Sequence, residues 1–163
     1  MGFDIVADSN NKEVMITISN ITPSTLVGIR KAFYFLGKDL RRTSSDLILE
    51  KPKTGRLYRL KRNGRIVKHR ASAPGEAPAN FTGSLRRSID FDVVGGDRME
   101  FGVKSEFENR KGTPAGVDYG KYLEEGTPKM EKRPFLITSL TKNQANAKEH
   151  FDREIKKALE ELS

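Results

Sequence analysis

Ile29, Phe33, Leu36 and Leu40 recur at intervals of four, three and four residues, which places them on one face of an α-helix. Leu26, Leu47 and Ile48 extend the stripe. Thr22 is a natural N-cap, and Pro23 suits the first helical position, where its missing N–H costs nothing. The stretch 22–49 therefore reads as a long helix near the N-terminus. Its apolar face is expected to be core, rather than a membrane or partner-helix surface. Gly28 and Gly37 lie inside it, and each should weaken an isolated helix by about 1 kcal/mol relative to Ala.

What surrounds this helix is mostly β. "FDIVADSNNKEVMITISNI" has two β-rich runs around Ser9–Lys12 and predicts a hairpin. "SIDFDVVGGDRMEFGVKS" predicts another, and its register can be argued. A three-residue loop of Gly95, Gly96 and Asp97 pairs Val93 with Met99, Phe91 with Phe101 and Ile89 with Val103. All the apolar side chains then share one face, with Asp90, Asp92 and Glu100 on the other; a two-residue loop would put them out of phase. Residues 105–133 read as loop. Pro134 then starts a C-terminal helix over 134–162, with Ile137, Leu140, Ala147, Phe151, Ile155, Ala158 and Leu162 on its apolar face. The expectation is a single α+β domain over 1–163: a mostly antiparallel sheet packed against the long N-terminal helix and the C-terminal helix.

Between the two long helices the chain changes character. The net charge of +8 is carried by one segment: residues 51–88 hold eleven bases and one acid, Glu76, while residues 89–163 hold thirteen bases and fifteen acids. Within that segment, "GRLYRLKRNGRIVKHR" centres on Asn63-Gly64, a two-residue hairpin turn whose positions both need positive φ. That turn sets Leu60 opposite Val67, Tyr58 opposite His69 and Arg59 opposite Lys68. Like charges face each other, and a lone two-stranded hairpin is marginal. Residues 53–72 are therefore expected to form a projecting basic β-hairpin arm that orders when acidic groups or phosphates meet it. Arg59, Lys61, Arg62, Arg65, Lys68 and Arg70 are its candidate contacts. Three fates stay open for it: a neighbouring protein subunit, non-specific contact with DNA, or no partner. With one Tyr and no recognition helix, base-specific reading is not expected.

Composition narrows the chemistry. The 163 residues are 36% hydrophobic and 32% charged, enough for one core but a thin one. A subunit of this kind can complete its burial against neighbours. There is no Cys, which excludes disulfides and thiolate zinc sites, and the two His residues are His69 and His150. No cofactor or metal site is expected. The start "MGFDIVADSNN" has no cationic region, and Val6 stands where a myristoylation motif needs Ser or Thr. No apolar run nears the ~18–20 residues that span a bilayer. The chain is expected to be made as an intracellular protein without a membrane partner.

No catalytic residues emerge. Ser72, Ser84 and Ser88 have only His69 and His150 as possible bases, and "TGSLR" lacks the glycine–x–serine–x–glycine elbow. His69 is expected on the surface of the basic strand and His150 in solvent. Asp90 and Asp92 share one strand face; a metal-dependent nuclease could use such a pair, but the wet face of a half-buried sheet is the simpler reading. Glu124 and Glu125 read as solvated or salt-bridged. "SAPGEAPANFTG" is no phosphate cradle, because its prolines remove backbone N–H groups.

Four blocks nevertheless form an ordered set: S-x-P-G-E-x-P at Ser72–Pro78, T-G-x-L-x-x-S-I at Thr82–Ile89, Y-x-x-Y-x-E-x-G-T at Tyr119–Thr127, and R-P-F at Arg133–Phe135. With these, the chain resembles the tail-completion or neck proteins of long-tailed bacteriophages, often labelled minor tail or head–tail joining proteins. The resemblance implies a non-enzymatic virion protein, assembled in the host cytoplasm. It would form a homo-oligomeric ring, commonly hexameric, that completes the tail tube and joins it to the head-side connector. Partners would be further copies of itself, the tail tube protein, and tail terminator or head-completion proteins, with possible non-specific contact to DNA in the channel. It also lends roles to individual residues. Thr82 would cap the helix beginning near Gly83, with Leu85 and Ile89 facing the core. Pro74, Gly75 and Pro78 would form a stiff, solvent-facing hinge. Tyr119, Tyr122 and Arg133 would sit in a loop at a subunit boundary. The rival reading is a stand-alone, non-specific DNA-binding protein using residues 51–70.

Overall fold

The computed structural model describes residues 3–7, 13–18, 23–104 and 116–161. Strands β1 (Phe3–Ala7) and β2 (Glu13–Ile18) pair antiparallel from Phe3↔Ile18 to Ala7↔Val14, as the hairpin reading expects. Its turn, and the N-cap role read for Thr22, lie outside the described residues. Helix α1 (Pro23–Leu49) follows. Strands β3 (Leu57–Arg62) and β4 (Arg65–Arg70) make a separate two-stranded sheet. The short helix α2 (Ser84–Ser88) leads into β5 (Ile89–Val94) and β6 (Arg98–Val103). Helices α3 (Gly116–Glu125), α4 (Leu136–Lys142) and α5 (Gln144–Glu160) complete the α+β fold.

The main sheet has the order β1-β2-β6-β5, and every pair in it is antiparallel. β6 meets β5 in the expected register, Ile89↔Val103, Phe91↔Phe101 and Val93↔Met99. Gly95 and Gly96 take positive φ in the connecting loop, which closes the longer turn at no side-chain cost. Ile89, Met99, Phe101 and Val103 are buried, and they share one cluster with Ile29, Phe33, Leu36 and Leu40 of α1. Burial of each such side chain contributes about 1.5–3 kcal/mol, so the stripe outweighs any weak helix propensity.

α1 is covered from two sides, and its glycines mark the contacts. A Cβ on Gly37 would meet the Phe91 ring of β5. A Cβ on Gly28 would lie 2.5 Å from the backbone oxygen of Glu154 on α5. Phe33 sits edge-on to Phe151 of α5, with ring centroids 5.1 Å apart. Ser44 donates to Ser139 of α4 at 2.8 Å, and the Asn143 amide donates to Thr43 at 2.9 Å.

Three expectations need correction. Residues 116–125 are helix rather than loop. Gly120 is where α3 meets β6: a Cβ there would lie 2.7 Å from Val103. The C-terminal helix expected over 134–162 is two helices, because Asn143 interrupts it with φ −103° and ψ 11°. The Asn143 side chain bonds Thr43 and the Ser139 carbonyl, an alternative to helical pairing that Asn makes readily. The break also changes the buried face, since Leu136 is buried and Ile137 is 40% exposed. Finally, His150 is not solvent-facing. Its Nε2 lies 2.8 Å from the Asp39 carboxylate, and its ring stacks on Phe35 with centroids 5.7 Å apart. The polar residues around His150 hid this, because one face of α5 lies on α1.

Gly28→Ala provides a test of the close approach. At an open helix position this change gains roughly 1 kcal/mol. Here the added methyl meets backbone, so a net loss of about 1–3 kcal/mol is expected, read as a lower urea midpoint with unchanged slope.

Candidate functional site

Three of the four sequence blocks are joined by hydrogen bonds. In Ser72–Pro78, Ala73 and Glu76 form a single turn, with the Glu76 N–H donating to the Ala73 carbonyl and the Ala73 N–H donating back to the Glu76 carboxylate at 2.9 Å. Pro74 stands just inside the turn and Gly75 takes φ +79°. The same carboxylate accepts the Thr54 N–H at 3.1 Å and the Thr54 hydroxyl. These hydrogen bonds, with the charge of Lys53, hold Glu76 down at about 2 against an ordinary 4.5. The Gly75 N–H donates to the Lys132 carbonyl at 3.0 Å, and the Arg133 guanidinium donates to the Ser72 carbonyl at 3.3 Å. Ala77 joins the core, and Ser72 and Pro78 are buried. The expected hinge of Pro74, Gly75 and Pro78 is thus a tether instead. Only its tip, Pro74 and Gly75, faces solvent, because the flanking residues hold residues 54–56 on one side and 131–133 on the other.

The second pair of blocks is tied in the same way. Tyr119 and Tyr122 lie on α3, not in a loop, and each is about half exposed. Glu124, on the same helix, accepts the N–H groups of Phe135, Leu136 and Ile137 at 2.9–3.1 Å. It therefore caps the first turn of α4 from a distance, serving donors that no helix can satisfy internally. The expectation of a solvated or salt-bridged Glu124 misses this, because a capping carboxylate twelve residues before its helix leaves no local sequence signal. Glu125 does pair as expected, with Lys121 at 3.8 Å. Gly126 ends α3 with φ +84°, and the Arg133 N–H donates to the Leu123 carbonyl at 2.6 Å. Burial of its phenol pushes Tyr119 above the ordinary tyrosine range, while the nearby charge of Arg133 acts the other way. Arg133 is committed to the Ser72 and Glu131 carbonyls, which makes it a brace of this junction.

Thr82 acts one position away from its expected role. The helix starts at Ser84 with Gly83 as N-cap at φ +77°, and the Thr82 hydroxyl accepts the Ser84 N–H at 3.3 Å. Leu85 packs against the core and Ile89 is fully buried, as expected.

The basic hairpin forms with the expected register: Tyr58↔His69, Arg59↔Lys68 and Leu60↔Val67. Asn63 and Gly64 both take positive φ. The root of the hairpin is fastened by the Gly55 and Ala71 N–H groups bonding to Ala71 and Arg56 carbonyls. Arg70 donates to the Gly55 carbonyl, and the His69 ring lies 4.6 Å from that of Phe81. Strand alternation sorts the side chains. Tyr58, Leu60, Val67 and His69 share one face with Arg65 nearer the turn. Arg59, Lys61, Lys68 and Arg70 share the other with Leu57 and Ile66. Among the described residues, Arg59, Lys61, Arg65 and Lys68 are exposed and form no ion pair. Repulsion between Arg59 and Lys68 is therefore felt in water, where it is screened and small.

The other candidates are occupied locally. Asp90 pairs with Arg41 at 3.6 Å, and Asp92 pairs with Lys104. Ser88 donates to the Leu85 carbonyl. Among the described residues no three His, Asp or Glu side chains are grouped so as to hold a metal ion. None of their helices is long and apolar enough to cross a membrane.

Compared with known proteins, the chain matches no family model, no curated protein and no solved structure.

Two substitutions test the junction. The stabilisation that Glu76 gives through its depressed ionisation is complete above pH 4.5 and is lost as the pH falls towards 2. Glu76→Gln should therefore lower Tm at neutral pH, with the gap from wild type closing across that window in thermal melts. Glu124→Ala should cost about 1–2 kcal/mol in urea unfolding, the scale of a lost helix cap.

Proposed function

We propose that this chain is a structural subunit of a phage neck or tail end. In this reading it forms a ring that completes the tail tube and joins it to the head-side connector. The observation that carries the reading is the junction. Three of the four blocks that give the resemblance, those at 72–78, 119–127 and 133–135, are joined there by hydrogen bonds, and their polar groups bind backbone atoms: Glu76 holds Thr54 and Ala73, Glu124 caps α4, and Arg133 holds Ser72. Such a pattern suits a chain whose motif residues fix its shape rather than turn over a substrate. The neighbours in this reading are further copies of the chain, the tube protein, and terminator or head-completion proteins. Tyr119 and Tyr122, half exposed on α3 beside the junction, suit a subunit boundary, where aromatic side chains are favoured. The virion is then the place of action, reached by assembly in the host cytoplasm.

A second reading has its own observation. Arg59, Lys61, Arg65 and Lys68 are exposed and unpaired among the described residues, which suits non-specific contact with the DNA backbone.

Changing Arg59, Lys61, Arg65 and Lys68 together to Gln separates the two. The ring reading expects particle joining to fail in electron micrographs of complemented lysates, with no measurable binding of the free wild-type chain to duplex DNA at physiological salt. The DNA reading expects tight duplex binding whose logarithm falls with log salt at about −0.9 per phosphate neutralised, lost in the variant while particles still join. Tyr122→Ala, which breaks no described hydrogen bond of the side chain, should impair ring assembly without lowering Tm.

A further inference from the structure

Beside the hairpin runs an open groove of about 470 Å³. One wall is β4 itself: the consecutive residues Val67, Lys68, His69 and Arg70 all line it, so the groove follows the strand's edge rather than one of its faces. The opposite wall is the end of α1 with the loop after it, and Phe81 lies along the same groove. The two-residue turn makes Arg62 and Arg65 a hydrogen-bonded pair, and pairs alternate from there. Val67 and His69 therefore spend their backbone groups on β3, while Ile66, Lys68 and Arg70 turn theirs outward. Among the described residues those outward N–H and C=O groups have no backbone partner. An unpaired strand edge is a template for another strand.

The groove also has a sign. Lys51, Lys53, Lys68 and Arg70 line it, and Glu50 is its one acid. Lys53 donates to the Leu47 carbonyl and Arg70 to that of Gly55, but Lys51 and Lys68 are uncommitted among the described residues. Between these charges, Leu49, Val67 and Phe81 are each 38–43% exposed and give apolar sockets. A strand added to β4 would set alternate side chains beside Lys68 and Arg70, and the intervening ones beside Val67 and His69.

We propose that this groove docks an extended acidic segment of another protein, which adds to β4 as a third strand. Four residues of β4 offer about 13 Å of edge. Backbone pairing supplies the register and alternating acidic and apolar side chains supply the selectivity. The geometry favours a peptide over nucleic acid, because a phosphodiester backbone cannot pair with a strand edge. It favours another protein over a second copy as well. The acidic edge strand described in this chain is β5, where the Phe91 N–H is taken by the Asp90 carboxylate and both aspartates are already ion-paired. This inference stands apart from the ring reading, since it needs only the hairpin edge and its charge.

The test uses the full chain and a fluorescein-labelled octapeptide alternating Glu and Val, followed by anisotropy. Binding is expected, with shifts of the Lys68 and Arg70 amide resonances. N-methylation of alternate peptide residues should weaken binding about tenfold or more, because it removes the ladder donors. Lys51→Glu with Lys68→Glu, both at exposed positions, should weaken it roughly tenfold while leaving Tm unchanged. If that pair lowers Tm, Lys68→Gln and the salt dependence of binding read the same charge term. An alternating Lys and Val octapeptide should not bind. The proposal is overturned if the Glu and Val peptide fails to bind, or if the methylated peptide binds equally well. It is also overturned if an oligothymidylate shifts those amides in the peptide's place, or if sedimentation shows dimers that charge reversal abolishes.

Discussion

Everything in the fold depends on how closely α1 is approached. It carries the main apolar stripe, and it lies against α5 and α4 as well as against β5 and β6. Gly28 and Gly37 make this possible, since a methyl at either would collide with Glu154 or Phe91. Helix propensity at those positions is worth about 1 kcal/mol each. Several fully buried side chains, at about 1.5–3 kcal/mol apiece, set the balance the other way. The helix gives up a little local stability, and the packing around it returns more.

A second constraint organises the irregular part of the chain. Residues 50–56, 71–83 and 126–135 have little secondary structure, and side chains hold several of their backbone groups. Two carboxylates and one guanidinium serve them: Glu76, Glu124 and Arg133. Each bond joins segments distant in sequence, so removing one would release two loops at once. Charge-assisted hydrogen bonds are stronger than neutral ones, which lets three side chains hold a region that lacks ladders. The hairpin grows from this tethered base. Its basic face is therefore presented at a fixed place, and that is what either a protein partner or a DNA backbone would require.

Charge placement separates the two halves of the protein's chemistry. Among the described residues, several acids outside 51–88 are engaged: Asp39 with His150, Asp90 with Arg41, Asp92 with Lys104. The bases of the hairpin find no acid among the described residues. Six of the eleven bases of residues 51–88 are thus gathered on one feature, where they can act together.

The sequence alone determined what depends on local rules. The Asn63-Gly64 turn fixed the register of β3 and β4, because only positive φ closes that turn. The apolar alternation of residues 89–103 fixed the loop length, because a one-residue slip would turn Phe91 and Phe101 outward. The stripe of Ile29 to Leu40 fixed α1. What the sequence left open depends on groups distant along the chain. Residues 116–125 read as loop, yet they form a helix whose Gly120 lies against Val103. Asn143 broke a continuous helical pattern by reaching Thr43, a hundred residues away. His150 looked solvent-exposed until α1 supplied Phe35 and Asp39. Glu76 and Glu124 looked like ordinary surface acids, and the apparent hinge of Pro74, Gly75 and Pro78 looked free. Only the tertiary structure decided these, because a carboxylate finds its backbone donors by where the chain returns, and spacing in sequence does not encode that return.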